Sequence, residues 1–214
     1  SSHKFERISF VRFARIAPSP FRGRKIIPGR LQQPARRKGN IKQKVKYTRM
    51  SYNKLKALEG NIEAISTALA IHEERRNATT AERETLSKFT GCGGIKEVLS
   101  IGTGTPIPDT MQEAVKRLLS VLSKAAKGNE TLYRQLLQSL KSSVLTAFYT
   151  PTFLIQAVAK QIKDTFTAND LKMGTFLEPS AGIGGFLPVG DMATHRTAFE
   201  KDLLTGLVLS ALHP

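Results

Sequence analysis

Residues 176–187 read FLEPSAGIGGFL. An apolar run ends in an acid, Glu178, then a proline, then small residues with glycines at 182, 184 and 185, and turns apolar again at Phe186. Glycine removes the side chain, so the backbone bends tightly and something else approaches it closely. A buried packing segment has no use for that arrangement. The flanking residues frame it as a turn. TFLEP predicts a short strand ending at Glu178, RTAFEKD (196–202) predicts a second strand, and LLTGLVLSALHP begins as a helix. Upstream, FYTPTFLIQAVAKQIKDTF (148–166) predicts a helix with Thr150 as its cap, Pro151 in its first turn, and a stripe through Phe153, Leu154, Ala157, Val158, Gln161 and Ile162. Helix, strand, turn, strand, helix is the opening of an α/β unit. In open α/β sheets, ligands bind beyond the carboxyl ends of the strands, which is where Glu178 and Glu200 fall. An acid twenty-two residues after the first strand end can accept both hydroxyl hydrogens of a ribose. A pyrophosphate would be repelled by Glu178, whereas an ammonium or a sulfonium would be attracted.

Further upstream the texture is helical. SYNKLKALEGNIEAISTALAIHEERR (51–76) places Leu55, Leu58, Ile62, Ile65, Leu69 and Ile71 at steps of three and four, with Gly60 as a candidate interruption. A second helix starts at Thr80 and runs through Leu86 and Phe89, with Gly91 as its stop. The glycine-rich GCGG (91–94) opens a turn, and TGTP (103–106) reads as a loop because it lacks the lysine and strand–helix frame of a phosphate loop. Two amphipathic helices follow, one from an Asp109 cap to Gly128 and one from Asn129 to Phe148, forming a helical hairpin. The fold class is therefore α/β: a helical region over 50–147, then the start of a sheet over 148–214 that two strands leave incomplete.

Charge divides the chain differently. Its 214 residues carry a formal net charge of +16. Residues 1–49 hold 15 Lys and Arg against one acid, Glu6, whereas 50–214 hold 18 basic and 16 acidic residues. Prolines at 18, 20, 28 and 34, glycines at 23, 29 and 39, and like-charge repulsion predict an extended or disordered arm. Arg22, Arg24, Lys25, Arg30, Arg36, Arg37 and Lys38 are its candidate contacts to nucleic-acid phosphates, which such residues bind without selecting a sequence. The alternative is a solvated linker. The same basic, acid-poor N-terminus also fits an organelle transit peptide, although the basic character continues well beyond a usual presequence. No window approaches 18 uninterrupted apolar residues, so no membrane span is expected. One cysteine, Cys92, excludes an intrachain disulfide and a multi-thiolate metal site, and no metal ligand set is expected.

LEPSAGIGGFL resembles motif I of class I S-adenosylmethionine-dependent DNA methyltransferases of the adenine-N6 type. FYTP before a helix, and FEKDLLTGLVLSALHP after the turn, resemble the segments that flank it in those enzymes. NATTAERETLSKFTGCGGIKEVL is similar to the N-terminal part of large methylase–helicase proteins of phages and mobile elements, except that an aromatic is expected where Cys92 stands. The resemblance covers roughly residues 55–214. It implies a Rossmann-like fold, S-adenosylmethionine as cofactor, DNA as partner, and a cytoplasmic location in a bacterium or phage-infected cell. It further implies that Glu178 faces the cofactor's amino-acid moiety and that Pro179, Ser180, Ala181, Gly182 and Gly184 line it. Phe186 would pack beneath the turn, Glu200 would hold the ribose, and Tyr149, Thr150 and Phe153 would close the methionine end. Plain core packing is the alternative for Phe153 and Phe186, and an exposed strand-end acid the alternative for Glu200.

Enzymes of this kind also need an Asn/Asp-Pro-Pro-aromatic segment that holds the flipped base. These 214 residues contain none. No catalytic residue is therefore assigned, and the chain alone is expected to be inactive. A fragment of a longer enzyme, a split subunit completed by the missing C-terminal half or by a second copy, and a degenerate remnant all fit. So does a non-enzymatic module that docks a partner or binds nucleic acid through the arm.

Overall fold

Elements alternate along the chain much as the hydrophobic periods dictate, and their caps say why each starts and stops. A computed structural model of the protein describes residues 52–214. The seven basic arm residues named above lie outside the described residues. Helix α1 (Lys54–Glu74) begins where the Asn53 side chain accepts the Lys56 N–H and ends with Arg75 in the left-handed region. It buries Leu58, Ile62, Ile65, Leu69 and Ile71, as the spacing predicts. Gly60 does not interrupt it.

Helix α2 (Thr80–Leu86) starts from a capping box in which Thr79 and Glu82 satisfy each other's backbone N–H. It ends at Leu86, before the expected Phe89, which is buried in the following turn. Helix α3 (Asp109–Ala126) is preceded by Pro108, so Asp109 is its first residue and not its cap. Its carboxylate still complements the helix dipole there. Lys127 and Gly128, both at positive φ, turn the chain into α4 (Glu130–Thr146), which Asn129 caps through the Leu132 N–H.

Helix α5 (Thr152–Ala168) follows Pro151, with no side-chain cap. Thr150 is therefore not the cap, because proline already supplies the extended backbone that opens the helix. Strands β1 (Met173–Glu178) and β2 (Ala193–Ala198) pair in parallel, with Glu178 opposite Ala198. The second strand starts three residues earlier than expected and ends before Glu200. A 3-10 turn at Leu187–Met192 completes the crossover between them, and α6 (Leu203–Leu212) closes the described chain.

The described residues, 52–214, form one compact unit. Its core is a helical cluster in which α1 packs against α2, α3 and α6, and α4 packs against α3 and α6. Leu204, Leu207 and Val208 of α6 are buried in that same cluster. The helix that follows the second strand is thus embedded in the helical region. By contrast the sheet and α5 lie at the margin: α5 buries no residue, and its packing is against the 3-10 turn. The architecture is mixed α and β, mostly helical, with a small parallel sheet. Among the described residues no helix is long and apolar enough to cross a membrane.

Candidate functional site

Past the paired strands the ladder continues into the turn. The Phe199 N–H donates to the Glu178 carbonyl at 2.8 Å, and the Ala181 N–H donates to the Phe199 carbonyl at 2.9 Å. The chain then bends through Gly182 (φ +57°) and Gly184 (φ +90°), and the Gly184 N–H closes a turn onto the Ala181 carbonyl at 2.8 Å. A side chain at either glycine would be strained by backbone conformation alone. Space forbids it too. A Cβ on Gly182 would stand 2.8 Å from the Tyr149 ring, and one on Gly184 would stand 2.5 Å from His213 Nε2.

Glu178, the last residue of β1, and Glu200, two residues beyond β2, both meet this turn. Glu178 Oε1 accepts the Ser180 N–H at 3.1 Å. Glu200 Oε2 accepts the Gly182 N–H at 2.8 Å, and its Oε1 accepts the Asp202 N–H at 2.7 Å. Each oxygen of Glu200 therefore uses one N–H and retains a lone pair for another donor. Glu178 and Glu200 are half-buried, Pro179 and Ser180 are exposed, and Ala181, Gly182 and Gly184 are buried. Phe186 is half-buried and begins the 3-10 turn.

Tyr149 joins the turn to the helices. Its ring edge lies against Gly182, and its hydroxyl would lie 3.4 Å from a Cβ on Gly91. The residue is 37% exposed overall. Desolvation of the hydroxyl pushes the phenol up to about 12, against a hydrogen bond with Thr205 that lowers it, and Glu200 and Asp202 add to the rise. Thr150 is half-buried beside it. Phe153 is 73% exposed, so the core-packing reading of it does not hold.

Several residues that set this geometry carry no motif. Asn61, fully buried on α1, donates to the Gly91 carbonyl at 2.7 Å and accepts the Thr90 N–H at 2.8 Å. The GCGG loop it holds packs against the end of α4. A Cβ on Gly93 would stand 1.9 Å from the Ala147 carbonyl oxygen. The Cys92 N–H donates to Ser143 Oγ at 3.3 Å, and the thiol is buried and pushed up to about 11 by that burial. On the other side Asp202 caps α6 through the Thr205 N–H at 2.9 Å and accepts from Ser139 Oγ at 2.7 Å. Ser139 Oγ in turn accepts the Leu204 N–H at 2.9 Å. A lone polar residue on an apolar helix face was the signal for Asn61 and Ser139, but its partner lies 30 or more residues away.

The arrangement thus offers two carboxylates with acceptor capacity to spare and a small-residue bend whose N–H groups are satisfied internally, with an aromatic ring packed against it. It can hold a ligand that carries hydroxyl or ammonium donors. Among the described residues no group of three or more His, Cys, Asp and Glu side chains is placed to hold a metal ion. No family model matches the chain, and neither a curated protein nor a solved structure with significant similarity to it was found.

Proposed function

We propose that residues 148–214 form the S-adenosylmethionine-binding corner of a class I, Rossmann-like DNA adenine-N6 methyltransferase of the phage and mobile-element methylase–helicase type. The observation that supports this most is the 2.8 Å hydrogen bond from the Gly182 N–H to Glu200, which ties the glycine bend to the end of the second strand. The donor set fits the cofactor. Glu200 retains one lone pair on each oxygen for the two ribose hydroxyls, and among the described residues Glu178 Oε2 makes no hydrogen bond and suits an ammonium. Pro179 and Ser180 are exposed beside the buried Ala181 and Gly182, and the Tyr149 ring packs against Gly182 where a side chain would stand. S-adenosylmethionine supplies an electrophilic methyl group on a sulfonium. This chain's own work is to bind and orient it. Methyl transfer to adenine also needs a base-holding Asn/Asp-Pro-Pro-aromatic segment, so the chain by itself binds cofactor without turnover. The basic arm at 1–49 adds sequence-independent affinity for DNA.

A second reading is favoured by one observation: the sheet and α5 expose Phe153, Leu154, Leu177 and Phe199, an apolar margin suited to a protein partner. In that reading the chain is an interaction module without cofactor. Calorimetric titration with S-adenosylmethionine separates the two. The cofactor reading predicts saturable heat that Glu200→Ala weakens at least tenfold while the fold is kept. Absence of heat, or equal heat from Glu200→Ala, rejects it in favour of the interaction module.

A further inference from the structure

Helix α1 floors a groove whose walls are α2 and α3, on a part of the surface built wholly from the helical region. The groove holds about 570 Å3, within the range of ligand sites. Its α3 wall presents Arg117, Ser120 and Lys124, spaced at three and four residues and so aligned on one face. Ser66 and Thr67 rise from the floor, and Thr85 faces them from α2. Among the described residues neither Arg117 nor Lys124 joins an ion pair. The acid that lines the groove, Glu63, is already paired with Lys88 at 3.3 Å. Glu113, one turn before Arg117, makes no ion pair with it. From Ala114 to Gly128 the sequence has four cations and no acid. Two unpaired cations with hydroxyl groups between them carry the chemistry that positions a phosphodiester backbone, with no group arranged to read a base.

We propose that this groove binds the sugar-phosphate backbone of a nucleic acid. Arg117 and Lys124 stand seven residues apart, about 10 Å along the helix. One strand presents about three phosphates over that length. The two cations thus take two phosphates, and Ser120 and the facing hydroxyls donate to the oxygens between them. This site is separate from the arm and from the glycine bend, and it stands whether or not the chain binds S-adenosylmethionine.

The test is fluorescence anisotropy of the full chain with a labelled mixed-sequence DNA duplex over a range of salt. Arg117→Gln with Lys124→Gln is compared with Lys163→Gln with Lys172→Gln, which removes the same charge from exposed positions elsewhere. Circular dichroism confirms that both remain folded. The groove pair is expected to weaken binding several-fold and to reduce the slope of log affinity against log salt by about two. The control pair is expected to leave the slope near that of the native chain. Equal losses in the two variants, an unchanged slope in the groove variant, or no binding by the native chain overturns the proposal.

Discussion

Gly93 shows how little room the helical region leaves beside the candidate site. Its missing Cβ would meet the Ala147 carbonyl oxygen at 1.9 Å, and backbone cannot give way as a flexible side chain can. Gly93→Ala is expected to cost about 2–3 kcal/mol by overpacking, read as a lower urea midpoint at unchanged m-value. Gly174→Ala, where a Cβ meets nothing within 4 Å, is the matched control and should be neutral or slightly stabilising. Asn61 is the polar counterpart. Truncation to alanine strands the Gly91 carbonyl and the Thr90 N–H, and is expected to cost about 2–4 kcal/mol by the same measurement. Tyr149 gives a pH dependence. Its phenol titrates at about 12 in the fold against about 10 in the unfolded chain, so the folded state keeps a proton that the unfolded state has released. That contribution is complete below pH 10 and is lost as pH rises from about 10 through 12. Urea unfolding between pH 9 and 11.5 should therefore fall less steeply for Tyr149→Phe than for the native chain. Motif glycines were legible in the sequence because their conformational demand is local. Asn61, Ser139 and Ser143 were not, because a buried polar side chain looks the same in sequence whether its partner is near or 50 residues away.

At the scale of elements, the second strand's flanks link the site to the core. Asp202 both caps α6 and accepts from Ser139 of α4, and Arg83 of α2 donates to the Leu212 carbonyl at 2.6 Å at the other end of α6. Loss of the cap in Asp202→Ala is expected to lower stability by about 1–2 kcal/mol, and by more than Thr79→Ala at the exposed capping box of α2. Thermal or urea unfolding of the two variants checks the order. Helix periods were read correctly from the sequence where a buried stripe exists, as in α1 and α3. Helix α5 has an equally regular stripe and buries nothing, because periodicity reports a face ready for burial and not the surface that will cover it. The strand shift at Ala193 has a similar cause. ATHRTA has four exposed residues and no alternation to mark its start.

For the molecule as a whole, the helical core is buried, whereas the margin formed by the sheet and α5 leaves apolar side chains exposed. A parallel sheet is ordinarily covered on both faces, yet here Leu177 and Phe199 are exposed, as are Phe153 and Leu154 of α5. This margin is where a completing half or a second copy belongs in the proposed enzyme. Without such a completing half, the chain is expected to self-associate with rising concentration in light scattering, and Phe153→Ser with Leu154→Ser is expected to shift it toward monomer. The α/β order of elements was legible from the alternation of periods. That the last helix would be embedded against α1, α2 and α4 was not, since long-range packing leaves no local mark. The central claim concerns the bend itself, and amide chemical shifts of the isotope-labelled chain test it most directly. Addition of S-adenosylmethionine should move the N–H signals of Ser180, Gly182, Gly184 and Asp202 in a saturable way. Stationary signals at these four residues, or shifts confined to other parts of the chain, would contradict it.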